Sequence, residues 1–333
     1  MNDANRFSRR KILGISALAA GSVAAVGGLA WLTCQKAPSS GPVDAVGAED
    51  EARWRRTDPA LLKWREVAPI AIPQVKPRAF IILPDERLLV AGDNELHLLG
   101  ADGTVIAQRT CNGEPRCLAM LPGQGILVAV DERLELHAPL GIATEEKSVA
   151  LWASLPPKAI ATSLTVSGNA VWLADFGNRR VWHFDATGRQ CGVLGDRCEF
   201  VIPSPYFAVA AATDGALWVA NTGRHRLECY GPDGHEISHW GRPGPAIDAF
   251  CGCCNPAQFA LASDGRFLTA EKGIARVKIS RSDGSLESVV AGAESFTRDT
   301  VGLVPLWDAH GRVLVLDPQR KAIRVFVAKE LSS

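Results

Sequence analysis

The sequence predicts an all-β chain folded as a six-bladed β-propeller, and three observations carry that expectation. One unit recurs six times with variation: LLVAGDNELHLLGADGTV, ILVAVDERLELHAPLG, VWLADFGNRRVWHFDATGR, LWVANTGRHRLECYGPDGH, FLTAEKGIARVKISRSDGS and VLVLDPQRKAIRVFVAKE. The acidic or amide residue that closes the first apolar run of each copy is Asp93, Asp131, Asp175, Asn221, Glu271 or Asp317. These positions are separated by 38, 44, 46, 50 and 46 residues, the length of a four-stranded blade. The turns keep the same time, because Asp214-Gly215 precedes Asp233-Gly234 by 19 residues and Asp264-Gly265 precedes Asp283-Gly284 by 19. That pairing marks two hairpins at one end of each blade.

The first 36 residues stand apart from the repeats. Ser8, Arg9, Arg10, Ile12 and Leu13 precede an uncharged run that ends at Leu32. This resembles a twin-arginine export signal, with Ile12 where Phe is usual. It implies a periplasmic or other extracytoplasmic location, with the segment either cleaved or left as an inner-membrane tether. Residues 37–60 mix Pro, Ser, Gly and charge and read as a flexible linker. Residues 61–333 form the propeller.

Within that domain each copy has short Val, Leu, Trp, Phe and Ile runs split by turn residues, which is strand grammar. Blade 2 is short between its second and third strands. The sixth copy is one strand short before the chain stops, so LLKWREVAPIAI, ahead of the first copy, is expected to supply the missing outer strand and close the ring. Trp172, Trp182, Trp218 and Trp240 fall at equivalent strand positions and read as core between blades.

These motifs resemble the NHL-repeat family of six-bladed propellers over residues 77 to 327. The resemblance implies a binding or scaffold module more readily than an enzyme, with function on the upper face. In such a blade the innermost strand begins on that face, and Pro77, Pro115, Pro157, Pro205 and Pro256 align just before the innermost strands. The stretch FCGCCNP is thereby placed in a lead-in loop on the upper face.

Nine cysteines invite a redox or metal reading. Cys111 with Cys117 and Cys191 with Cys198 are expected as short-loop disulfides. For Cys251, Cys253 and Cys254 three outcomes stay open. They are a structural disulfide to another upper loop, a soft-metal site for Cu or Zn completed by Cys198, Cys117 or a histidine, and free or redox-active thiols. Asp175, Asn221, Glu271, Lys272 and Asp317 are the candidate ligand- or partner-binding residues. The oxygens of Asp175, Asn221, Glu271 and Asp317 at the mouth make Ca²⁺ a lesser alternative, although the same position commonly ties down backbone N–H groups instead. Arg276 and Lys278 alternate along a strand and read as a solvated face.

Charge excludes one partner class. Lys plus Arg and Asp plus Glu each number 36, and no basic block interrupts the propeller, which argues against nucleic acid. The expected partner is a protein or small ligand at the upper face of a monomer. The alternative reading is a metal-dependent hydrolase of the lactonase or gluconolactonase type, in which an ion at the channel mouth polarises a carbonyl.

Overall fold

Runs such as LLVAG and GILVAV are apolar at every position because both faces of these strands are covered, and all their residues are buried. A sheet packed on one side only would alternate polar and apolar residues. In the computed structural model, which describes residues 48–73, 76–141, 149–196 and 200–329, these runs are the second strands of radially stacked blades.

Blade 1 is built from β3 (Pro77–Ile82), β4 (Leu88–Gly92), β5 (Glu95–Leu99) and β6 (Val105–Thr110). Blade 2 is β7 (Pro115–Leu121), β8 (Gly125–Val130), β9 (Arg133–His137) and β10 (Val149–Ser154). Blade 3 is β11 (Ala161–Ser167), β12 (Ala170–Asp175), β13 (Arg180–Asp185) and β14 (Gln190–Leu194), and blade 4 is β15 (Val209–Ala211), β16 (Leu217–Asn221), β17 (Arg226–Tyr230) and β18 (Glu236–Trp240). Blade 5 is β19 (Gln258–Leu261), β20 (Phe267–Ala270), β21 (Val277–Ser280) and β22 (Leu286–Ala291). Pairing within every blade is antiparallel. Blade 2 turns from β8 to β9 on Asp131 and Glu132 alone, since Val130 pairs with Arg133.

Blade 6 draws strands from both ends of the described chain. After β23 (Val304–Trp307), β24 (Val313–Asp317) and β25 (Ala322–Ala328), the outer position is taken by β1 (Trp64–Glu66), with β2 (Ile70–Ala71) also pairing along β25. Trp64 faces Ala328 and Glu66 faces Phe326. The buried Arg324 guanidinium fastens this join with bonds of 2.8 and 2.6 Å to the Glu66 carboxylate.

Six apolar clusters fill the six spaces between blades. Leu89 and Val128 share the space between blades 1 and 2, and Leu88 and Leu316 that between blades 6 and 1, so the ring is closed. Trp172, Trp182, Trp218 and Trp240 lie partly buried against these clusters, as their repeat-equivalent positions require.

Two expectations from the N-terminal region change. The stretch read as a linker contains a short helix, α1 (Ala48–Trp54), and Arg55 just after it donates to the carbonyls of Ala293 and Phe296 at 3.2 and 3.3 Å. The signal and tether expected in residues 1–36 lie outside the described residues. Among the described residues no helix is long and apolar enough to cross a membrane, so the inner-membrane tether finds no support there.

Candidate functional site

The six inner strands surround a central channel of about 260 Å³. At its upper mouth it widens into a cavity of about 290 Å³ lined by Arg78, Arg116, Thr162, Tyr206, Gln258, Val301 and Val304, among others. Each polar lining residue reaches the mouth for a local reason. Arg78, Arg116 and Tyr206 directly follow the aligned Pro77, Pro115 and Pro205, so the chain presents them as it turns into an inner strand. Thr162 is held by donating to the Phe207 carbonyl at 2.7 Å.

Glu114 ties the two arginines together. It pairs with Arg116 at 2.7 Å and also with Arg78, and the three side chains remain 27 to 40% exposed. Two guanidinium groups against one carboxylate leave a positive excess, and among the described residues no acidic side chain lines the cavity itself. Across the mouth the Lys272 ammonium sits 4.8 Å from the centre of the Tyr206 ring. Burial pushes the Tyr206 phenol above its usual range, Lys272 pulls it back, and Cys254 adds slightly to the rise.

The arrangement can hold an anion or an oxygen on which negative charge develops, because planar guanidinium forks match such groups in geometry and charge. It does not fit a metal ion. Ca²⁺ requires six to eight oxygens, several of them carboxylate, whereas the mouth presents neutral hydroxyl and amide groups beside two fixed cations.

In blades 3 to 6 the acid and amide positions that recur after the second strand, Asp175, Asn221, Glu271 and Asp317, are buried and do not line the mouth, whereas Asp93 is half-buried and Asp131 exposed. Asp175 accepts from the backbone N–H of Ile160 at 2.9 Å, from Asn178 Nδ2 at 2.7 Å and from the Trp182 indole at 2.9 Å. Asn221 accepts from the Val201 N–H at 2.9 Å and donates to Glu228, and Asp317 accepts from the Arg320 N–H at 3.2 Å. These side chains fix loops, and none of them lines the mouth cavity. Lys272 reaches the site only through Tyr206.

Glu271 anchors a buried charge cluster. It pairs with Arg276 at 2.9 Å and Lys278 at 2.8 Å, and all three side chains are at most 2% exposed. The reading of Arg276 and Lys278 as a solvated face is therefore corrected. Lys278 also donates to the carbonyls of Ile247 and Ala249, each at 2.9 Å, and lies 4.7 Å from the Phe250 ring centre. Burial pulls its pKa below the usual lysine range, with Glu271 working the other way. Every partner of this cluster in the 247–251 stretch belongs to the loop that carries the cysteines.

The cysteine expectations are corrected in turn. Cys111 and Cys117 are free and buried. Cys111 packs between blades 1 and 2 while Cys117 packs between blades 2 and 3, so the two thiols serve different interfaces. Burial pushes them up to about 11 and about 12 respectively. Cys191 is free and exposed, and Cys198 lies outside the described residues. Cys251, Cys253 and Cys254 are free as well, with the sulfurs of Cys253 and Cys254 3.2 Å apart. Among the described residues no group of three or more His, Cys, Asp or Glu side chains could hold a metal. The Cu or Zn site expected from the cysteines is therefore withdrawn.

Comparison with known proteins bears on the fold. No family model and no curated protein matches this chain, so the likeness to NHL repeats goes no further than the shared propeller. Solved structures do match. A streptogramin B lyase aligns with a TM-score of 0.55 at 11% identity over 82% of this chain and 100% of its own. The calcium-binding protein regucalcin from Agrobacterium tumefaciens aligns with a TM-score of 0.58 at 15% identity, covering 79% of this chain and 94% of its own. Virginiamycin B lyase from Staphylococcus aureus aligns with a TM-score of 0.52 at 11% identity over 80% of this chain and 99% of its own. The chain shares the six-bladed fold of these proteins. The expectation of a scaffold built on a cysteine cluster is overturned, because the described cysteines are free and no metal-holding group is found among the described residues.

Proposed function

We propose that this protein is an enzyme that opens a strained or activated ester, such as a lactone, in a small anionic substrate bound at the channel mouth. The observation that carries the reading is the pair Arg78 and Arg116, held by the single carboxylate of Glu114 over a cavity of about 290 Å³. Guanidinium groups placed where a carbonyl oxygen gains charge do the work that an ion does in metal-dependent lactonases. The lactonase alternative is thus kept in its reaction class and changed in its electrophile. The lyases that share the fold support an enzymatic use of such a mouth without extending their substrates to this chain.

The test is turnover of a panel of carboxylate-bearing lactones by the full chain, with and without a chelator. Activity is expected to survive chelation and to fall about 100-fold or more in Arg116→Met, the usual cost of losing one oxyanion donor. Activity that vanishes with chelator and returns with Ca²⁺ would refute the assignment, as would an unaffected Arg116→Met variant.

A further inference from the structure

We infer that Tyr206 is the proton-donating residue of the mouth and that Lys272, held in place by Asn255 of the cysteine loop, is its positioning residue. The inference rests on the ester-opening reading for its chemistry, but its geometry stands alone. Tyr206 lines the cavity that Arg78 and Arg116 also line, and it brings the one phenol to a mouth whose other polar groups are guanidinium, amide and hydroxyl.

A proton donor must be protonated at neutral pH and must tolerate the charge that it acquires. Half-burial against blade 4 keeps the Tyr206 phenol protonated, and the Lys272 ammonium over its ring offsets the phenolate that forms on donation. In the reaction, water adds to the ester carbonyl carbon and the acyl C–O bond breaks. Its electron pair leaves with the alkoxide oxygen, which takes the proton from Tyr206 Oη. The proton released by the attacking water restores the phenol. No other reactant is needed.

The cysteine loop explains why Lys272 stays over the ring. Asn255, itself 1% exposed, accepts from the Lys272 N–H at 2.9 Å and donates to the Lys272 carbonyl at 2.9 Å and to the Cys251 carbonyl. The loop is staked from beneath, because Glu271 accepts from the Cys251 N–H at 3.4 Å and Lys278 holds the carbonyls of Ile247 and Ala249. Asn255 therefore transmits a buried anchor to a half-buried lysine. The charged or titratable groups facing Tyr206 are Lys272 and Cys254 on its own side and Arg78 and Arg116 around the cavity.

The chain has only two tyrosines, so phenol ionisation followed by ultraviolet absorbance on the intact protein is a direct readout. Tyr230 is buried with its hydroxyl donating to Glu228 at 2.8 Å. The titration seen before unfolding is expected to belong to Tyr206 and to disappear in Tyr206→Phe. Lys272→Met should move it about one unit upward, the scale of a partly screened charge near 5 Å. Asn255→Ala should move it in the same direction by less, and Lys272→Arg should restore it. Urea midpoints monitor folding of each variant.

An unmoved titration in folded Lys272→Met would overturn the positioning role. A Tyr206→Phe variant with unchanged kcat on a lactone that the parent opens would overturn the donor role. The titration requires no substrate, so a failed turnover screen would leave it intact, and the two readings fail separately.

Discussion

Replacing Glu271 by Gln is the sharpest test of how the upper loops are held. In the native chain one carboxylate answers two cations, Arg276 at 2.9 Å and Lys278 at 2.8 Å, with all three at most 2% exposed. Gln keeps the shape and the acceptor for the Cys251 N–H but strands two buried positive charges against backbone carbonyls. Breaking a buried pair this way costs about 3–5 kcal/mol, mostly the penalty of the uncompensated charge. Lys278→Met leaves Glu271 and Arg276 as a balanced pair and loses the bonds to Ile247 and Ala249, for about 1–3 kcal/mol. The double variant should cost clearly less than the sum, because removing Lys278 also removes one of the charges that the neutral amide cannot answer. Equilibrium urea unfolding followed by the fluorescence of the nine tryptophans measures all three. If Lys278→Met cost as much as Glu271→Gln, or if the two effects added to within about 0.5 kcal/mol, charge imbalance would not be what holds the loop.

Two further outcomes follow from burial. Alkylation of native protein, mapped by mass, should mark Cys191 and Cys253 first and spare Cys111 and Cys117, whose thiols are buried and pushed up to about 11 and about 12; early labelling of Cys117 would contradict the closed packing between blades 2 and 3. Burial also lowers the pKa of His137, His183 and His225, so the unfolded chain binds more protons than the folded one once the pH falls below about 6.5. Stability is therefore complete above that value and is lost as the pH drops through the lowered folded pKa values, and a urea midpoint that failed to fall between pH 7.5 and 5.5 (about one unit either side) would refute this.

Architecture was legible because it is written in a repeat. Six acid or amide positions at steady spacing announced six blades, and the aligned prolines located the upper face. The site was harder to read, for a physical reason. Asp175, Asn221, Glu271 and Asp317 recur because blades 3 to 6 each use a buried acceptor to fix a loop, so what repeats most visibly is structural. Residues that face the mouth differ from blade to blade, as Arg78, Arg116 and Tyr206 do, and a search for repetition passes over them. The signal that finds them is position, one residue past the aligned prolines of blades 1, 2 and 4. The cysteine cluster misled for the opposite reason. Its density suggested chemistry of its own, while the residue that carries the contacts is its neighbour Asn255.

The join between β1 and β25 has a consequence for biosynthesis. Trp64 finds its partner Ala328 only after nearly the whole chain has left the ribosome. Until then blades 1 to 5 have no sixth neighbour, and the apolar flanks of blades 1 and 5 face solvent. Such long-range pairing folds slowly and exposes sticky intermediates. A nascent chain halted before β25 is therefore an open fan, and holding it soluble falls to the chaperones that meet it.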